Sequence, residues 1–308
     1  MKYGILFFIL IARTHICQPS AITYELNGGR FGDNLSTYCK AKWYAYKYKF
    51  PFLYKPFTYS DELALHNQET LLNTEVFGEY EAIIKVSSED DIKKHKDKNV
   101  LFVTNFYTQA PGAYESGFTH PEFAENIKKA LTPINPIDAL EKPDGCITIA
   151  LHVRKGGGFD APLASEQIYK KPIVYADQQW PTKFPPDQYY LDQLSMLRKI
   201  LGPEKKFIIY LFTDDPNPAQ LAKRYQEHLI DTNLEFRFRA QNNSHNAHVV
   251  EDFYQMAQCD CLIRSSSLLA RASQLVGNHQ IIIHPIQGYW VDDTLIINPV
   301  GIIMRSLG

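Results

Sequence analysis

Past residue 145 the chain alternates between two patterns of apolar positions. Residues 146–153 and 207–212 are almost unbroken apolar runs of strand length. Residues 234–238, 261–263 and 280–284 read as shorter strands, the last of them the final clear strand. Between them, residues 186–201, 218–228, 249–258 and 267–276 place apolar side chains every three or four positions, the spacing of a helix with one buried face. Runs that are apolar on both faces predict covered strands. Strands alternating with helices predict right-handed βαβ units around a parallel sheet.

The N-terminal half repeats the pattern less cleanly. Residues 21–26 read as a strand, Asn27-Gly28-Gly29 breaks it, and residues 33–48 follow as a helix with Leu35, Tyr38, Cys39, Trp43 and Tyr46 at helical spacing. A mixed stretch ends in the charge run 87–98, expected to be a solvated helix with its caps. Residues 100–103 then read as a strand and 123–131 as a helix. Pro133, Pro136 and Pro143 punctuate the middle, so two domains are expected, 21–143 and 144–308. The first twenty residues stand apart: Met1-Lys2 precedes an apolar run, 4–12, broken by Arg13, His15 and Gln18. This resembles a secretory signal and is shorter than the roughly 20 residues of a membrane span. Export is therefore expected, with membrane attachment only if the segment is kept as an anchor. The alternative is a buried N-terminal segment of a cytoplasmic protein.

Composition narrows the function classes. A net charge of -2 gives no broad basic field, so a nucleic-acid partner has no electrostatic support and none is expected. Five cysteines, odd in number and scattered, argue against a disulfide framework. Cys259-x-Cys261 has no second ligand pair to complete a zinc site, so structural thiols are expected there and no metal.

Ligands of an open parallel sheet lie at the carboxyl ends of its strands. Four polar sequences fall at such ends and a fifth on a helix. Gly28-Gly29-Arg30-Phe31-Gly32-Asp33-Asn34 leaves the first strand and enters a helix, where glycines admit close backbone approach and the helix start favours anions; the plainer role is a tight turn with Asp33 as N-cap. It is neither a dinucleotide fingerprint nor a P-loop, because Arg30 replaces a required glycine and no Gly-Lys-Ser/Thr follows. His152-Val153-Arg154-Lys155-Gly156-Gly157-Gly158-Phe159-Asp160 ends a buried strand, with His152 and Arg154 on one face. Arg154 offers a planar fork that grips two phosphate oxygens, or forms a structural ion pair. Thr213-Asp214-Asp215-Pro216 places two acids after a strand, Asp215 being set to cap the next helix. Glu251-Asp252 lies on the helix 249–258. Arg264-Ser265-Ser266-Ser267 joins a strand to a helix, and its hydroxyls and amides suit a diphosphate, with capping by Ser267 the plainer role.

These residues resemble the fucosyltransferase superfamily of protein O-fucosyltransferases and α1,6- and α1,2-fucosyltransferases. Gly29-Arg30-Phe31-Gly32-Asp33-Asn34 looks like the Gly-Arg-Phe-Gly-Asn-Gln opening of the protein O-fucosyltransferases. His152-Val153-Arg154-Lys155 is similar to the family's His-x-Arg-Arg, Thr213-Asp214-Asp215-Pro216 matches a segment of the α1,6 enzymes, and residues 252–271 look like the last donor-binding region. The resemblance implies an α/β GT-B fold, two Rossmann-like domains with parallel sheets facing a cleft. It implies inverting, metal-independent transfer of fucose from GDP-fucose, a donor substrate with no further cofactor, to a glycan or protein hydroxyl.

It further implies donor contacts by Gly29, Arg30, Phe31, Gly32, Asn34, His152, Asp214, Asp215, Asp252, Ser265, Ser266 and Ser267. His152 and Asp252 would read guanine, Arg154 would neutralise the leaving group, and Asp33 or Asp160 would take the proton. The chain departs from the pattern at Asp33, where the family has Asn, at Gly157, where the α1,2 and α1,6 enzymes have an acid, and at Leu268-Leu269, where a Gln is expected. Two alternatives are a transferase of another nucleotide sugar and a non-catalytic binding member of the same fold.

Overall fold

A computed structural model describes residues 20–114, 120–155, 181–229, 233–241, 243, 247–292 and 294–305. The signal-like segment up to residue 19, Gly156, Gly157, Gly158, Phe159 and the candidate base Asp160 lie outside the described residues.

The first half contains strand β1 (Ala21–Tyr24), helix α1 (Phe31–Tyr48), β2 (Leu53–Tyr54), the single turn α2 (Leu65–Gln68), β3 (Thr70–Leu71), β4 (Ala82–Lys85), α3 (Glu89–His95), β5 (Val100–Thr104) and α4 (Pro121–Ala130). Strands β1, β5 and β4 form a parallel sheet in that order. The charge run does form a helix: Asp91 Oδ2 accepts from the Ser88 amide at its start, and Ile92 is its buried anchor.

The second half contains β6 (Cys146–Val153), α5 (Asp187–Leu201), β7 (Lys206–Thr213), α6 (Pro218–Leu229), β8 (Leu234–Phe238), α7 (Val249–Gln258), β9 (Cys261–Arg264), α8 (Leu268–Val276) and β10 (Ile281–Pro285). Three further strands follow: β11 (Gly288–Val291), β12 (Thr294–Ile297) and β13 (Val300–Met304). The six-stranded sheet runs β13-β10-β9-β6-β7-β8, parallel except for β13, which returns antiparallel on β10. Residues 280–284 are thus not the last strand. β11 and β12 form a separate antiparallel hairpin; β11 carries exposed Tyr289 and Val291, β12 exposed Thr294, and β13 exposed Ile302 and Met304, so none shows an unbroken buried run.

Alternation of side chains gives the large sheet two apolar faces. Ile149, Leu151, Ile209 and Ile263 face one core with Leu194 of α5 and Leu221 of α6. Ala150, Tyr210, Phe212 and Leu262 face the other with Met256 of α7 and Ala270 of α8. Helix α1 lies between the halves: its core is shared with Phe102 of β5 on one side and with Phe253, Ala272 and Leu275 of α7 and α8 on the other. Phe31 meets Phe253 edge-on with ring centroids 5.9 Å apart. Each such buried ring stabilises the fold by roughly 1.5–3 kcal/mol, so this contact holds the start of α1 against the second half.

Candidate functional site

The register of the large sheet assembles one part of the site. His152 of β6 lies opposite Phe212 of β7 on one side and Arg264 of β9 on the other. The three therefore share the face that α7 and α8 cover. His152 Nδ1 is 3.3 Å from Ser265 Oγ, and both groups are buried. Burial pushes His152 down to about 4, with Asp214 opposing and Arg154 and Arg264 reinforcing, so the imidazole is neutral near pH 7. Burial, followed by the charge of Arg271, holds Arg264 down to about 10. Arg264 was not among the expected contacts; the signal was a lone basic residue in the apolar strand Cys261–Arg264. Its Nε donates to Gln274 Oε1 at 3.1 Å and its Nη1 to the Ser265 carbonyl at 3.1 Å.

Arg154 sits just past the end of β6. Its Nε is 3.9 Å from Asp214 Oδ2, and its guanidinium lies over the Phe184 ring, 5.3 Å from the centroid. Asp214 also accepts from the Lys155 amide at 2.6 Å, and Lys155 Nζ is buried on Asp187. The structural ion pair is therefore present, and Asp214 fixes the backbone that presents Arg154. Asp215 engages the turn just before α6. Its Oδ1 accepts from the Asn217 amide at 2.8 Å, and Asn217 Oδ1 in turn accepts from Gln220 in the first turn of the helix. Pro216 cannot donate, which leaves the Asn217 amide as the first donor within reach of Asp215.

The serine turn is partly committed within the fold. Ser265 is fully buried against His152, the Ser266 amide donates to the Thr182 carbonyl at 2.9 Å, and Ser267 stands at the N-cap of α8 without a side-chain cap bond. Only Ser266 of the three is exposed.

The glycine turn meets this turn. Gly28 takes φ 75°, open to glycine at no steric cost. A Cβ on Gly32 would lie 2.7 Å from the Leu269 nitrogen and 3.1 Å from the Leu268 carbonyl carbon, so the first turns of α1 and α8 touch where only glycine fits. The N-cap of α1 is Arg30, not Asp33: the Arg30 amide donates to Asp33 Oδ2 at 2.9 Å. An acid three residues into a helix reaches back to the cap amide, which engages one oxygen of this candidate base. The side chain of Phe31 is buried in the core. Asn34 is 4% exposed, and its Oδ1 is buried with no partner among the described residues. With Leu26, Gly28, Gly29, Phe57 and Thr58 it lines a cavity of about 440 Å³. Such an acceptor is one that a donor of a ligand or a water can satisfy.

Asp252 lines a second cavity, of about 220 Å³, beside Phe212, Thr213, Phe238 and Arg239. Arg239 Nη1 donates to Asp252 Oδ1 at 2.8 Å. Burial still outweighs this attraction and pushes Asp252 up to about 6. Phe212 lies opposite His152 and also lines this cavity, so the two parts of the site adjoin.

No protein-family model matches the sequence, and no curated protein matches it. Among solved structures, the chain is similar to a mutant of FUT1 from Arabidopsis thaliana in complex with GDP, with a TM-score of 0.53 and 13% identity over 86% of this chain and 70% of that one. It also matches POFUT1 in complex with GDP-fucose (TM-score 0.44, 10% identity, 85% and 96% of the two chains). A further match is the NodZ α1,6-fucosyltransferase soaked with GDP-fucose (TM-score 0.40, 13% identity, 93% and 99%). At these identities the likeness is one of fold, and the first match carries it: the chain has the α/β fold of a fucosyltransferase structure.

Proposed function

We propose that the chain transfers a sugar from a nucleoside diphosphate to a hydroxyl of a glycan or protein, with GDP-fucose as donor and with inversion. The observation that supports this best is the contact of Gly32 with Leu269, which sets the glycine turn against the serine turn one strand away from His152 and Arg154. On this reading the diphosphate lies between Arg154 and the start of α8. Arg154 neutralises the charge that builds on the departing nucleotide, a task needing neither a nucleophilic side chain nor a metal. Neutral His152 and Asp252 take the base, an acid suiting guanine because N1 and N2 both carry donors. The acceptor hydroxyl approaches from the cavity that Asn34 lines and gives its proton to Asp33 or Asp160. The plant structure of like fold holds GDP, which agrees with this reading. The proposed division into domains falls near residue 143, and residues 1–20 are proposed as a secretory signal.

A binding module without turnover is the second reading. It is favoured by the engagement of Asp33 with the Arg30 amide and by glycine at position 157. Calorimetry with GDP followed by a hydrolysis and transfer assay with GDP-fucose separates the two. GDP binding without turnover supports the module, and absence of both overturns either reading.

A further inference from the structure

Arg239 follows β8 and reaches α7. Its Nη1 donates to Asp252 Oδ1 at 2.8 Å and its Nη2 lies 3.0 Å from Glu251 Oε1, while its own carbonyl accepts from Asn243 Nδ2 at 2.7 Å. Both its backbone and its head group are thus held. A guanidinium has five N–H donors, and these ion pairs engage two of them. Among the described residues the rest have no partner, which leaves them for an acceptor in the cavity that Arg239 lines with Asp252, Tyr210, Phe212 and Phe238. Asp252 Oδ2 makes no hydrogen bond among the described residues, so the same pair also offers an open acceptor.

We propose that Arg239 is a specificity-determining residue that selects a 6-oxopurine base: its guanidinium donates to O6 while the adjoining Asp252 carboxylate accepts from N1–H and the 2-amino group. This rests on the reading above that the cavity holds the base of a nucleoside diphosphate. Guanine presents acceptor, donor, donor in succession along one edge. Arg239 and Asp252 present donor and acceptor side by side, within one hydrogen-bond length of each other. Adenine presents an amino donor where guanine has O6, and a bare ring nitrogen where guanine has N1–H. Against this pair it meets donor with donor and acceptor with acceptor. Uracil has a single N–H between two carbonyls and no 2-amino group, so it satisfies less of the carboxylate. The aromatic side chains of the cavity accept any base face, which leaves discrimination to the Arg239–Asp252 pair. Glu251 acts through Arg239 as a positioning residue.

The test is calorimetry of the full chain with GDP, ADP and UDP. The wild type is expected to prefer GDP. Arg239→Gln is expected to weaken GDP about tenfold or more while ADP is unchanged, collapsing the GDP/ADP ratio. Arg239→Lys keeps the charge but loses the planar fork, so it is expected to fold normally and to lose the same ratio. It serves if the first variant fails to fold. A wild-type GDP/ADP ratio in either folded variant overturns the proposal and leaves the wider reading standing. No binding of any nucleotide by the wild-type chain overturns the wider reading and the proposal with it.

Discussion

Gly32 and Leu269 meet backbone to backbone, the first turn of one helix against the first turn of another, with space for a hydrogen but not for a methyl group. Two sequences more than two hundred residues apart are thereby held as one structure. Gly32→Ala is expected to force α1 and α8 apart and to cost about 1–3 kcal/mol of stability, the usual penalty of overpacking. It should also weaken GDP binding, because the turns separate where the diphosphate is proposed to sit. Urea unfolding and calorimetry together check this. Unchanged stability would mean that the backbone at residue 269 yields without cost.

Arg154→Ala is expected to abolish transfer while the fold persists, since Arg154 lies past the end of β6 and contributes to no core. Losing one charge-assisted diphosphate contact costs on the order of 1.5–3 kcal/mol, and more where the contact strengthens in the transition state. The variant leaves Asp214 with the Lys155 amide, so circular dichroism should match the wild type. Turnover at the wild-type rate would remove Arg154 from the mechanism.

The alternation of strands and helices from residue 146 was legible because β6, β7, β9 and β10 are largely apolar on both faces, the direct consequence of being covered on both sides. β11, β12 and β13 were not legible, because each is short and partly exposed, β11 and β12 pairing only with each other and β13 returning antiparallel on β10. The site shows the same divide. Strand ends mark where ligands go, and His152, Arg154, Asp214 and Ser265 stood at such ends. Which groups were already spent was hidden, since that depends on partners brought by the fold: Ser265 on His152, Asp214 on the Lys155 amide, Asp252 on Arg239. Arg239, one residue past β8, carried no pattern of its own, and only its reach to α7 gives it meaning.

Stability should fall in acid for a reason set by buried histidines. His279 is fully buried, with Nδ1 on the Cys259 carbonyl at 2.8 Å and Nε2 without a partner among the described residues. Burial pushes it, like His152, down to about 4. An unfolded histidine takes up its proton near 6.5, so between about 6.5 and 4 the unfolded chain binds more protons than the folded one. Stability is expected to be insensitive to these groups above 6.5 and to fall as pH drops toward 4. The loss is on the order of 3 kcal/mol per histidine at most. Urea unfolding of His279→Gln across this range should show a shallower fall than the wild type, and an identical slope would show that His279 is not the group responsible.

Turnover should survive EDTA. The charge on the leaving diphosphate is assigned to Arg154 and to the positive end of the α8 helix dipole, so the proposed chemistry calls on no divalent ion. Loss of turnover on chelation, restored by magnesium or manganese, would overturn that assignment.

The affinity for GDP should itself depend on pH, through Asp252. A carboxylate accepts from guanine N1–H and the 2-amino group only when ionised, since the protonated acid carries a donor on one oxygen. Burial pushes Asp252 up to about 6, against the attraction of Arg239, which places its titration inside the range where the protein is handled. Above 6 the carboxylate is charged and GDP binds at full strength. Below 6 it is increasingly protonated, and affinity should fall by up to about tenfold for each further unit, until the carboxylate in the complex is protonated as well. Bound guanine donors favour the charged form, so the complex should release a proton on formation near pH 6, visible as a buffer-dependent heat in calorimetry. UDP, with fewer donors to offer this carboxylate, should show a weaker dependence. Asp252→Asn should flatten the GDP profile and lower its plateau, because the amide carries no charge to titrate. A GDP affinity that is constant between pH 5 and 7 would show that Asp252 does not take the base.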